Sequence, residues 1–180
     1  MNAGLKNAVK PFSDNLIFFD TEFSSLDPYQ GEILSIGLVK LNGEELYIEL
    51  EYDGEVSEWV RIHVLHLLMD EKISRERAIE RIKKFVGDTR PYAVSYVNQY
   101  DTIYFYKLLG GQENPFFWLP IDFASMLFAM GEDPESFSFT RGPEFLKKLG
   151  INQADYREHH ALDDARMLRD VYMKLLVNNQ

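Results

Sequence analysis

Short apolar runs of strand character open the chain, and longer amphipathic stretches close it. Leu16 to Phe19 is a continuous apolar run bounded by polar residues, which predicts a buried strand. Residues 32–41, with Ile33, Leu34, Ile36, Leu38, Val39 and Leu41, predict a second. Asn42-Gly43 is a strong hairpin signal and leads into residues 44–52, where Leu46, Ile48 and Leu50 alternate with Glu45, Tyr47, Glu49 and Glu51. That alternation gives the third strand one wetter face and places it at an edge. Residues 56–68 carry Trp59, Ile62, Val64, Leu65 and Leu68 at mixed helical spacing. Residues 74–86 form a clearer amphipathic helix, capped by Ser74 and stopped by Gly87. A fourth strand follows at 92–97, then a helix over 101–109 ending at Gly110-Gly111, and a fifth strand within 116–123, where Phe116-Phe117-Trp118 reads as core. Short helices are predicted over 124–130 and 142–149, and the longest from about 157 to 177. This order of elements predicts an α/β domain built on a mixed five-stranded sheet with helices on both faces.

Composition narrows the class. A chain of 180 residues, 46% apolar and 27% charged, fits one globular domain. Residues 1–14 lack the apolar core and cleavage pattern of a secretory signal, so we expect a loose leader followed by a single domain over 15–180. No apolar run reaches the roughly 18 residues of a membrane span, and no membrane partner is expected. The absence of cysteine leaves oxygen and imidazole as the strong metal ligands and is compatible with a cytoplasmic location. A net charge of −10 argues against gripping long nucleic acid through a basic surface. It is compatible with an enzyme that holds only a terminus and lets cations neutralise the phosphate.

The first strand ends in Asp20-Thr21-Glu22-Phe23. Strand alternation puts Asp20 and Glu22 on one face, roughly 6 to 7 Å apart. The pair is either the solvated exit of a strand or part of a divalent-cation site. Asp101 follows the fourth strand, where an Asp is commonly a helix cap but where sites in open α/β sheets also lie. In the last helix, Asp164 shares a face with Ala161, Leu168, Val171 and Leu175, whereas Asp163 lies with Arg166 and Asp170. An inward carboxylate needs a partner. His159, five residues before Asp164, can reach the same place from the helix start.

Three segments together resemble a known family. Asp20-Thr-Glu22 at a strand end, Asp101 after a later strand, and His159-x-Ala161-x-x-Asp164 in a terminal helix are similar to the three motifs of the DEDDh 3′-to-5′ exonucleases, the DnaQ-like branch of the ribonuclease H-like fold. The run Asp20-Thr-Glu22-Phe-Ser-Ser-Leu26-Asp27-Pro28 is especially similar to oligoribonucleases and ribonuclease T, and residues 59–65 are similar to small bacterial exoribonucleases. The second segment departs from the pattern: Asn98 stands three residues before Asp101 rather than four, and Tyr100 occupies a usual Phe position. A sister group has tyrosine where this chain has His160, which makes His160 the rival to His159.

The resemblance implies a ribonuclease H-like fold and two divalent cations, Mg²⁺ or Mn²⁺. Asp20 would bridge both, Glu22 and Asp164 would hold the one carrying the attacking water, and Asp101 would serve the second. His159 would act as general base. The implied activity is RNA processing, an exoribonuclease releasing nucleoside 5′-monophosphates from the 3′ end of short single-stranded RNA. A DNA exonuclease and a catalytically silent binding module are the alternatives. Phe23 and Leu26 are candidates to stack on the terminal bases, against a reading as ordinary core. A homodimer is implied by resemblance alone. Tyr100 and Tyr104, four apart on the helix after Asp101, either pack or reach the substrate; His63 and His66 are read as structural or exposed rather than a metal pair, and Arg61 and Arg141 as solvated charges rather than phosphate contacts.

Overall fold

In the computed structural model, which describes residues 11–138 and 142–177, the chain is organised around strand β1 (Leu16–Phe23). Its alternating side chains feed two cores. Ile17 and Phe19 face one side, Leu16 and Phe18 the other, and all four are buried. β2 (Ile33–Lys40) pairs with β1 antiparallel, and β3 (Glu45–Leu50) with β2 in the same sense across the Asn42-Gly43 turn. β4 (Lys72–Ile73), β5 (Tyr92–Ser95) and β6 (Ile121–Asp122) add parallel pairings, giving the order β4-β3-β2-β1-β5-β6. The mixed α/β sheet is as expected, with six strands where five were predicted. The extra one is the two-residue β4, too short to leave a periodicity.

Helices cover both faces. α1 (Glu58–His63) lies beside Leu34 in a small third cluster. α2 (Arg75–Val86) starts where the Ser74 side chain accepts from the Arg77 amide and stops at Gly87. It packs with α3 (Gln99–Leu109) on the Ile17–Phe19 side. α4 (Phe123–Ala129), α5 (Pro143–Lys148) and α6 (Ala161–Tyr172) close the Leu16–Phe18 side, where Leu168 and Val171 are buried as predicted. Among the described residues, no helix is long and apolar enough to cross a membrane.

Five expectations change. β3, expected at an edge, has β4 paired outside it. α6 begins at Ala161 rather than near 157, because His160 is its extended N-cap and His159 has φ of 60°. Glu49, predicted to be on the wetter face of β3, is buried: its Oε1 accepts from the Asp70 amide and from the Tyr47 hydroxyl. Of Phe116-Phe117-Trp118 only Phe116 is buried, while Trp118 is 71% exposed. Asp163, grouped with solvent-facing residues, is also buried. Of the expected leader, residues 1–10 lie outside the described residues, as does Arg141.

The approach of α6 to the sheet depends on one residue without a side chain. Gly37 on β2 stands beside Asp20 in register, and a Cβ there would collide with the Ala161 carbonyl and the Leu162 amide nitrogen. These are backbone atoms of the α6 first turn, which cannot rotate away. Gly37→Ala is therefore expected to cost about 1–3 kcal/mol by overpacking, read as a lowered midpoint in chemical denaturation. A wild-type midpoint would mean that α6 does not need this close approach.

Candidate active site

The C-terminal ends of β1 and β5 open into a cleft of about 570 Å³. Its lining includes Asp20, Glu22, Asp101, Asp164 and His159, so segments more than 140 residues apart meet in one place. Asp20 and Glu22 lie on the β1 face that continues Leu16 and Phe18, the face covered by α6, as alternation requires. Asp164 comes down from the first turn of α6. Asp101 arrives from the first turn of α3, behind the end of β1, where its Oδ1 accepts from the Thr21 amide at 2.9 Å and the Thr21 hydroxyl at 2.6 Å. The chain enters α3 through Val97, a β-branched residue at φ 56°. A left-handed conformation there is sterically costly and is held by its surroundings.

One ligand atom from each of Glu22, His159 and Asp164 lies within 4.8 Å of the others. Asp164 Oδ1 is buried with no hydrogen-bond partner among the described residues. Burial, reinforced by the charges of Asp101, Asp164 and Glu22, holds the Asp20 carboxyl well above the usual range. Burial and then Asp101 push Glu22 up to about 8. Burial raises Asp101 to about 7 against the opposing hydrogen bonds from Thr21, and burial with the Glu22 charge holds Asp164 well above the usual range. Four acids so placed resist joint ionisation unless positive charge enters between them. Several carboxylates gathered in one cleft are a donor set suited to a hard divalent cation, so the residues fit a divalent-metal site.

The two histidines separate cleanly. His159 faces the cleft, with its ring edge-on to Trp59 at 4.7 Å and Nε2 3.6 Å from a Glu158 oxygen. Burial, with a smaller push from His63, lowers its pKa. His160 instead turns under α6, stacked on Tyr47 at 4.6 Å and buried. Leu26 stands on the rim, 67% exposed, and Phe23 lines the wall, stacked on Tyr104 at 4.4 Å and 11°. Tyr104 is core and Tyr100 lines the cleft. His66 and Arg61 are exposed, and His63 stacks on Trp59.

Trp59 and Val97 also line the cleft and were not predicted to. Trp59 read as one apolar position in a helix. Its later neighbour Ile62 lies outside the core too, a hint that this helix turns an apolar side to solvent.

Comparison with known proteins gives a consistent result. A family model described as Exonuclease matches residues 17–172. No curated protein matches the chain. Among solved structures the chain is similar to the moderately thermophilic Exonuclease I from Methylocaldum szegediense, with TM-score 0.63 and 16% identity over 91% of this chain and 41% of that one. It is also similar to the zinc-bound form of the E. coli ExoI–ssDNA complex, with TM-score 0.59 and 16% identity over 90% of this chain and 40% of that one. The chain thus spans about two fifths of the length of each, and at that identity the likeness is one of fold.

The raised carboxyl pKa values set a pH dependence. Between the ordinary carboxyl value of about 4 and the values near 7 and 8 reached by Asp101 and Glu22, the folded metal-free chain binds more protons than the unfolded one. The site's contribution to stability therefore falls as pH rises through that window. Divalent cation should reverse the penalty, raising the thermal midpoint more at pH 8 than at pH 5.5. Scanning fluorimetry with EDTA against Mn²⁺ at both pH values checks this, and a midpoint insensitive to Mn²⁺ at pH 8 would count against cation binding here.

Proposed function

This chain belongs to the exonuclease family, and from that premise we propose that it is a metal-dependent 3′-to-5′ exoribonuclease trimming short single-stranded RNA to nucleoside 5′-monophosphates. The observation that carries the reading is the meeting of Asp20, Glu22, Asp101 and Asp164 with His159 in one open cleft. The four acids would hold two divalent cations. Bound there, such ions supply charge neutralisation at the scissile phosphate and a lowered pKa for an attacking water. His159 accepts the proton of that water. Its lowered pKa keeps the ring neutral near pH 7, as a general base requires. The water oxygen bonds to the terminal phosphorus, and the bond to the 3′ oxygen of the preceding nucleotide breaks.

Leu26 and Phe23 bind the terminal bases in this reading: the exposed Leu26 packs on a base face, and Phe23 is braced from behind by Tyr104. The cleft is of ordinary small-ligand size. With a net charge of −10, this supports a grip on one strand end rather than along a polymer. RNA is favoured by the likeness of the first motif to oligoribonucleases. DNA is the second reading, favoured by the fold likeness to an exonuclease solved with single-stranded DNA. A homodimer, from the family resemblance, and a cytoplasmic location, with which the absence of cysteine is compatible, complete the proposal.

The test incubates 5′-labelled RNA and DNA oligomers of equal sequence with the protein and Mg²⁺ or Mn²⁺. A ladder shortening from the 3′ end, faster on RNA and abolished by EDTA and by Asp164→Ala, is expected. Undiminished activity in Asp164→Ala would remove this site from the chemistry. His159→Ala should lose about 10²–10⁴-fold in kcat, and His160→Ala far less. Because the base works unprotonated, kcat should rise with pH to a plateau, with its midpoint below the ordinary His value of about 6.5. A flat profile with chemistry rate-limiting would exclude an imidazole base.

A further inference from the structure

The turn that presents His159 is tied down by a charged pair that the chemistry above does not use. Asp163, 4% exposed, accepts from the Arg157 backbone amide at 3.2 Å, from Arg157 Nε at 2.6 Å and from Arg166 Nη1 at 2.6 Å. Arg157 Nη2 also lies 3.3 Å from His160 Nδ1, so a residue two before His159 is tied to His160 and Asp163, both of which follow it. Arg166 carries the anchorage to the sheet, donating from Nε and Nη2 to the two oxygens of Glu45 on β3 at 2.8 and 2.6 Å. Between these ties sits His159 at φ 60°, a left-handed conformation that a non-glycine residue keeps only when its surroundings impose it. The His159 ring lies edge-on to Trp59 at 4.7 Å and 3.6 Å from a Glu158 oxygen, while its backbone amide donates to the Asp164 carboxylate, a second tie on the turn beside the Arg157–Asp163 pair.

We propose that Arg157 and Asp163 are positioning residues: their ion pair holds the His159 backbone in its left-handed turn and so aims the imidazole at Glu22 and Asp164. The inference rests on His159 acting as the base. A buried carboxylate does not release its partners cheaply, which makes Asp163 a stiff anchor. The planar fork of Arg157 reaches two acceptors at once, which a lysine ammonium does not reproduce. Relaxation of the turn would displace the ring by an ångström or more, while Asp20, Glu22 and Asp101 stay held by β1 and α3 and Asp164 stays on the packed α6, losing at most its contact with the His159 amide.

The test is a set of kinetic variants on the full chain, each checked by thermal denaturation. Arg157→Ala removes a half-exposed side chain and should lower kcat about 10- to 100-fold, the scale of an ångström-sized misplacement, with KM within about twofold. Arg157→Lys should recover only a small part, and Asp163→Asn should resemble Arg157→Ala. Mn²⁺ affinity by calorimetry should be unchanged in Arg157→Ala. The deciding measurement is a cycle with His159→Ala: if Arg157 acts through His159, adding Arg157→Ala to His159→Ala should change kcat by less than about twofold. Wild-type kcat in Arg157→Ala, or a full additive loss on the His159→Ala background, would overturn the proposal. Should Asp163→Asn fail to fold, the Arg157 variants decide alone. Full activity in His159→Ala would instead remove the premise that His159 is the base, a result distinct from either of these.

Discussion

Four carboxylates at the end of one strand repel one another, and much of the molecule is arranged to hold them there. β1 is buried on both faces, so it cannot bend to separate Asp20 from Glu22. Asp101 is held by the backbone and hydroxyl of the residue between them. Asp164 is brought down by a helix packed through Leu168 and Val171. Burial raises the pKa of all four, so the apolar core is in tension with the charge it encloses. On the proposed function a divalent cation among these acids would relieve that tension, so that local instability without the ion and affinity for it would be two aspects of one arrangement.

The close approach has visible structural costs. Gly37 gives up a side chain so that the first turn of α6 can rest on β2 beside Asp20. Where the backbone turns toward the cleft, at Val97 before α3 and at His159 before α6, it is left-handed at residues that disfavour that conformation. Such conformations cluster where a chain must place one side chain at the expense of local comfort. At His159 the surrounding ion pairs reach as far as β3, so the position of one imidazole is linked to the half of the sheet opposite β6.

Hydrophobic periodicity by itself determined the α/β class, the β1–β2–β3 meander with its Asn42-Gly43 turn, the capped helix after Ser74 and the inward face of α6. These are local consequences of side-chain spacing and turn chemistry, and burial only ratified them. Alternation likewise determined that Asp20 and Glu22 share a face. The exonuclease family was legible because three short motifs kept their order and spacing. Other features were decided by distant contacts. β4 exists only because β3 offers it a partner, and Glu49 is buried because Asp70 and Tyr47 come to meet it. Asp163 looked solvated by helical phase, yet Arg157 from the preceding loop and Arg166 from the next turn cover it. The choice between His159 and His160 was a matter of spacing on paper. In the fold, a left-handed turn sends one ring to the cleft and the other beneath the helix, because backbone handedness at a single residue is set by what surrounds it and leaves no trace in the hydrophobic pattern.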